Sequence, residues 1–425
     1  MSALTITVII TVIMSLLFLV NKFPFGLVTL SCCVALAATG VLTISEAFSG
    51  FSNQTIILVA CMFCLSAGLQ RTDLAFRLKG LLGSMGGKQD LALVAVLFAI
   101  YWLMLLAMPG IIAMAIIITF LDALPETGEV TPSRVIMPLL MFNVVWEGVV
   151  PIGMGATIDF TTNAYMESIV AEDQLLTFLN TFSVRIVPGL IMIPVCLFIW
   201  RLFPKKQLNL DNVEAKKIDK SDLPAWKQYL IYGCFILVIL VMIFNSYFGS
   251  LMYVMPAICV AILGFTKTLT PREMILSLFS DTVLMLAGIM GVTAALTASG
   301  AADLIGNLLL QLVSWTDSSF MVLWITTLFT AIMTTFLSNS GVKSVLTPLV
   351  ASMAVAGGMN VAGLAICVTA GSALSFCFPT GSTTCALAYA SGEYNPFKIL
   401  HITLPLLLVL TLVIAFMANL LFPVW

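Results

Sequence analysis

The chain has 425 residues, 61% of them hydrophobic and only 9% charged, with a formal net charge of −2. A soluble domain carries about 25% charge, so a water-soluble globular protein is excluded and a polytopic membrane protein is indicated, in line with a mean hydropathy of +1.13. The single histidine, His401, excludes a His-based metal site and a Ser-His triad.

A membrane-spanning helix needs roughly 17–25 apolar residues. In chain order, the candidates are 3–21, 25–44, 54–71, an interrupted stretch at 134–165, and 182–203. They continue with 228–246, 250–266, 282–298, a second interrupted stretch at 360–390, and 399–424. The first apolar stretch has no basic leader and no small-residue cleavage site, so it reads as a span and not as a signal peptide. Regions 90–123 and 319–356 are apolar but broken in the middle. Each reads as a re-entrant hairpin or a pair of short spans, and either returns the chain to the side it came from. Between spans, 72–87 places Arg77 and Lys79 among leucines and reads as an amphipathic helix on the membrane surface. The ten cysteines lie almost entirely in apolar runs. Cys61 and Cys64, separated by Met62 and Phe63, therefore read as buried helix residues and not as a redox or metal pair.

Ten net crossings place 16 of the 18 Lys and Arg on one side, including Lys22, Arg71, Arg134, Arg201, Lys267 and Lys398. The other side receives only Arg185, and Lys343 stays within the membrane. The positive-inside rule makes the first side cytoplasmic, so both termini are expected outside. The polar stretch 204–227 is then a cytoplasmic linker between two halves, 1–203 and 228–425. The halves resemble each other at a constant offset: Ser52 matches Ser280 (280 − 52 = 228), and Pro151 matches Pro379 (379 − 151 = 228). Five crossings per half make the insertions opposite. The expected fold is therefore all-α, with two inverted repeats of five spans, each carrying a re-entrant hairpin and an interrupted helix.

The polar residues cluster at the breaks. Ser338-Asn339-Ser340-Gly341 interrupts 319–356, and Phe378-Pro379-Thr380-Gly381-Ser382-Thr383-Thr384 interrupts 360–390. Polar irregular backbone at membrane depth is tolerated only when it is buried in protein or lines a cavity. Glu147 stands just before the break at Pro151, Asp159 just after it, and Lys343 one turn beyond Asn339. Ionisable residues inside membrane segments are functional-site candidates. The competing readings are a structural pair for Glu147, a surface position beside Thr161 and Thr162 for Asp159, and snorkelling to the outer interface for Lys343.

These motifs, with Gly392-Glu393-Tyr394-Asn395-Pro396 leading into the last span, resemble the divalent-anion:sodium symporter family of the ion-transporter superfamily. The resemblance covers most of both halves. It implies an elevator-type secondary carrier, commonly a homodimer in the bilayer, for a di- or tricarboxylate or another small anion such as sulfate, coupled to sodium or protons. It implies no organic cofactor and no nucleic-acid partner. Carried over residue by residue, it places substrate contacts at Ser338, Asn339, Ser340, Thr380, Gly381, Ser382, Thr383, Thr384 and Thr157. Sodium falls at Ser338, Asn339, Gly381 and Thr383, and coupling at Ser338, Asn339, Ser382, Lys343, Glu147 and Asp159. The first half departs from the pattern. Its hairpin tip reads Ala107-Met108-Pro109-Gly110 in place of a Ser-Asn-Thr motif, and Cys385 stands where the family usually has Asn. Loss of the first-half ligands suggests that Lys343 replaces an ion, with Glu147 as its partner. A non-transporting sensor or assembly protein that kept the carrier fold is the alternative; an intramembrane enzyme lacks the required nucleophile–base or metal set.

Overall fold

The computed structural model describes residues 2–20, 22–73, 90–122, 130–206, 221–313 and 315–425. Among these residues the chain is all-helical, with no strand. The first half contains α1 (Ala3–Val20), α2 (Phe25–Ala38), α3 (Gln54–Gln70), α4 (Asp90–Ala107), α5 (Gly110–Asp122), α6 (Pro132–Trp146), α7 (Ile158–Ala164) and α8 (Asn180–Ile199). The second half contains α9 (Ala225–Ile243), α10 (Leu251–Phe265), α11 (Asp281–Ala298), α12 (Ala301–Val313), α13 (Ser319–Phe336), α14 (Asn339–Gly357), α15 (Val361–Ala373), α16 (Thr383–Ser391) and α17 (Pro396–Leu421).

Local chemistry sets many of these boundaries. Asn53 caps α3 by accepting from the N–H groups of Thr55 and Ile56, and Ser280 caps α11 through Val283 N. Such caps satisfy N–H groups that have no partner within the helix. Two short helices, Ile44–Ala47 and Pro271–Leu278, each start with a complete capping box, Thr43 with Glu46 and Thr270 with Glu273. Both regions 90–122 and 319–357 are helix pairs joined by two residues, Met108-Pro109 and Leu337-Ser338. Each is therefore a helical hairpin. The interrupted stretches break between α6 and α7 and between α15 and α16.

Among the described residues, six helices are long and apolar enough to cross a membrane: Asn180–Leu202, Ala225–Ile243, Pro271–Ala298, Ser319–Phe336, Asn339–Gly357 and Pro396–Leu421. Shorter apolar helices, such as Phe25–Ala38, Gln54–Gln70 and Val361–Ala373, lie among them. The molecule is a multi-span membrane protein. The span-length pattern leaves 299–318 without an element, yet α12 forms there and packs on α14. A Cβ at Gly306 would come within 2.4 Å of Ser352 O, so the contact requires a small residue. The expected surface helix at 72–87 and the linker residues 207–220 lie almost wholly outside the described residues.

The buried apolar side chains form two large clusters. One joins both hairpins with α6, α8, α15, α16 and α17. The other joins α1, α2, α3, α9, α10 and α11, and includes Phe160 and Tyr165 from the far side of the first break. Within the second cluster, α2 and α11 approach closely: a Cβ at Gly288 would fall 2.4 Å from Thr29 Oγ1. The seam between the clusters is where the polar residues collect.

Candidate functional site

A cavity of about 620 Å³ opens along that seam. The hairpin tips contribute Pro109, Gly110, Ser338, Asn339 and Ser340, and the helix breaks contribute Glu147, Thr157 and Gly381 to Thr384. The second apolar cluster contributes Phe25, Phe63 and Ser66. Of the sequence-predicted substrate contacts, Ser338, Asn339, Ser340, Gly381, Ser382, Thr383, Thr384 and Thr157 line the cavity. Thr380 does not; its hydroxyl donates to Thr335 O at 2.8 Å and ties the second break to the second hairpin.

The second hairpin is stitched to the break it faces. Thr334 Oγ1 donates to Ser372 O at 2.9 Å. Ser338 caps α14 through Gly341 N, and Ser382 caps α16 through Cys385 N. Two helix N-termini thus open onto the cavity from opposite elements, an arrangement that favours anions. The Asn339 side chain points into a nest of oxygens. The amide atom that faces inward lies 3.1 Å from Gly381 O, 3.1 Å from Ser375 Oγ, 3.3 Å from Ser372 O and 2.7 Å from Thr334 Oγ1. With nitrogen inward, the amide donates to this nest. This orientation is the one that satisfies both amide atoms, since an inward oxygen would face only acceptors. Of the residues expected to hold sodium, Asn339 and Gly381 meet in this nest, and Ser338 Oγ is engaged by Gly341 N.

The first hairpin is closed differently. Glu147 Oε1 accepts from Gly110 N at 2.8 Å, at the start of α5. Asn143 Nδ2 donates to Glu147 Oε2 at 2.7 Å, and Tyr101 Oη donates to Asn143 Oδ1 at 2.7 Å. Glu147 is thus bound to the hairpin tip and to its own helix. The expected Lys343–Glu147 pair is not the arrangement found: Lys343 Nζ donates to Thr161 Oγ1 at 3.3 Å and lies 5.8 Å from the Tyr165 ring centroid. Position 343 sits one turn into α14 and aims across the seam at α7, whereas Glu147 is held at the other hairpin.

Two other charges stand away from their expected places. Asp159 is buried, not a surface residue, and its Oδ1 accepts from Thr181 Oγ1 at 2.5 Å and Thr181 N at 3.1 Å. It caps the first turn of α8 and is not among the cavity-lining residues. Arg185, expected at the outer side at the start of the span 182–203, is 4% exposed and lines the cavity. Its Nη2 donates to Val145 O and Glu147 O, both at 3.1 Å, at the negative end of α6. The signal that singles out Lys343 also applies to Arg185, since it too is a cation within an apolar run (182–203). Counting it with the outer side, and not with the membrane interior, hid it.

Comparison with known proteins adds the following. The sequence pattern of the citrate transporter family (CitMHS) matches residues 15–371 and, in a second match, 248–425. An uncharacterized transporter, YfbS, of Escherichia coli (strain K12) is 30% identical over 123 residues, 29% of this chain and 20% of that protein. A putative malate transporter, YflS, of Bacillus subtilis (strain 168) is 24% identical over 271 residues, 60% of this chain and 55% of that protein. The matched stretches therefore span about half or less of these relatives. The crystal structure of the YdaH transporter of Alcanivorax borkumensis, reported to have an unusual topology, superposes with a TM-score of 0.60 at 15% identity. That match covers 96% of this chain and 98% of the other, and is a likeness of fold.

Proposed function

Because the chain belongs to the citrate transporter family of the ion-transporter superfamily, we propose that it is a secondary active carrier of a di- or tricarboxylate, coupled to a cation. As a member of a transporter family it is a membrane transporter of a small solute and not an enzyme. This membership agrees with the expected resemblance at the level of the ion-transporter superfamily. The finer reading rests on one observation above the others. Lys343 and Arg185 face the same cavity, whose wall also carries the hydroxyls of Ser338, Ser340, Ser382, Thr383 and Thr384. Two fixed cations and capped helix ends in one water-accessible space suit an anion with two or more carboxylates. The name of the Bacillus relative, a putative malate transporter, points to the same substrate class.

Sodium is the proposed coupling ion, close to Ser338, Asn339, Gly381 and Thr383, which line the cavity; it would supply a positive charge beside the anion. The two apolar clusters suggest an elevator, in which the hairpin-bearing cluster slides on the other and carries the seam with it. Their helices follow in the same succession in each half, hairpin then broken helix then long span, which supports two inverted repeats at 1–203 and 228–425 joined by the 204–227 linker. The remaining parts of the proposal are cytoplasmic placement of that linker, both termini outside, and a homodimer.

The test is uptake of radiolabelled citrate, malate, succinate and sulfate into proteoliposomes under a sodium gradient, a proton gradient or neither. Carboxylate uptake that needs a cation gradient and is abolished in Asn339→Ala is the expected result. No uptake above protein-free vesicles would refute transport, and uptake of sulfate alone would refute the carboxylate reading.

A further inference from the structure

We propose that Glu147 and Asn143 together dock the first hairpin, standing in for a side chain that its tip lacks. The two tips are built alike. In each hairpin two residues separate the helices, so Gly110, like Asn339, is the first residue of the second helix, one residue away from the 228 offset of the breaks (339 − 110 = 229). The offset of the breaks, 379 − 151 = 228, places Glu147 opposite Ser375 and Asn143 opposite Gly371. In the second half, the tip reaches into the break: Asn339 extends its amide to Ser375 Oγ. Gly371 lets α15 pack closely on α13, since a Cβ on it would meet Thr327 O at 2.8 Å. In the first half, the break reaches out to the tip. Glu147 binds Gly110 N, Asn143 braces Glu147, and Tyr101 braces Asn143. A Cβ on Gly110 would fall 2.3 Å from Asn143 Oδ1 and 2.6 Å from Glu147 Oε2, so the space an asparagine would need is already filled.

The consequence is an asymmetry between the hairpins. The second is held by a neutral amide that donates into an oxygen nest. The first is held by a carboxylate from the protein itself, set on the N-terminal end of α5, where negative charge is favoured. Glu147 is therefore a positioning residue for the first hairpin, and that tip needs no ion to close. The inference rests on the proposed carrier reading only in treating the hairpins as parts that dock and undock; the docking itself can be measured without substrate.

Thiol labelling of the purified full-length protein tests it. Ile111→Cys reports on the first tip and Ser340→Cys on the second; both residues are exposed and line the cavity. The ten native cysteines are buried and give a low background. Loss of a charge-assisted hydrogen bond is expected to raise the labelling rate of the first-tip thiol by about tenfold or more in Glu147→Ala, with the rate of the second-tip thiol unchanged. Moving the bulk back to the tip, in Gly110→Asn with Asn143→Gly and Glu147→Ser, is expected to return the first-tip thiol to the parent rate. The inference is overturned if Glu147→Ala leaves labelling of the first tip unchanged, if both tips open together, or if the triple exchange labels there as fast as Glu147→Ala. Each reading is independent of whether any carboxylate is transported.

Discussion

Replacing Lys343 with methionine removes the ammonium and keeps most of the apolar stem. In the structure, Nζ is 3.3 Å from Thr161 Oγ1 and lies over Tyr165. The ring and hydroxyl hold the ammonium at the seam, and Asp159 and Arg185 are the charges that bear on it. A charge-assisted hydrogen bond to a carboxylate contributes about 1.5–3 kcal/mol, so KM for the substrate is expected to rise roughly 10- to 150-fold. Two accounts of Lys343 separate here. If it grips the anion directly, affinity falls and the sodium dependence stays that of the parent. If it replaces an ion, some binding survives and the cation dependence changes. The geometry favours the grip, because the contacts of Lys343 are Thr161 and Tyr165, away from the oxygens of Thr334, Ser372, Ser375 and Gly381 that surround Asn339. The assay is concentration-dependent uptake at several sodium concentrations, with equilibrium binding as a check. A KM within about twofold of the parent, together with an unaltered sodium profile, would refute both accounts and make Lys343 a bystander.

Asp159→Ala removes the cap on α8 and leaves the buried Thr181 N–H without its carboxylate. A loss of about 1–3 kcal/mol in stability is expected, seen as a lower thermal midpoint of the purified protein, with substrate preference and sodium dependence retained; a changed coupling ratio with normal stability would return Asp159 to the transport cycle. For topology, a single cysteine placed in 207–219 is expected to resist an impermeant thiol reagent in intact cells, while one in the 357–360 connection is labelled. Labelling of the linker from outside would invert the orientation.

Where sequence was informative, a physical rule made the signal local. Backbone that breaks at membrane depth must be buried or line water, so Ser338-Asn339-Ser340 and the segment around Pro379 stand out against their apolar arms, and both reach the cavity. The hairpins and interrupted helices are legible for the same reason. The charged side chains are not, because their roles depend on which helix end they meet. Glu147 binds the backbone of Gly110, 37 residues away, and Asp159 binds Thr181, 22 residues away. No spacing along one helix encodes either contact. Arg185 was hidden by an assumption about depth: assigned to the outer side, it is the one exception to the charge bias, whereas in the fold it binds the end of α6 and faces the cavity. Removing it from the loop count strengthens the orientation argument, since the side opposite the 16 clustered cations then has no basic loop residue at all. It also changes the electrostatics of the site. One membrane-embedded cation could serve as a surrogate ion; two cations facing one cavity, with the nearby carboxylate of Glu147 bound to a helix N-terminus, leave the space better suited to an anion that carries more than one charge.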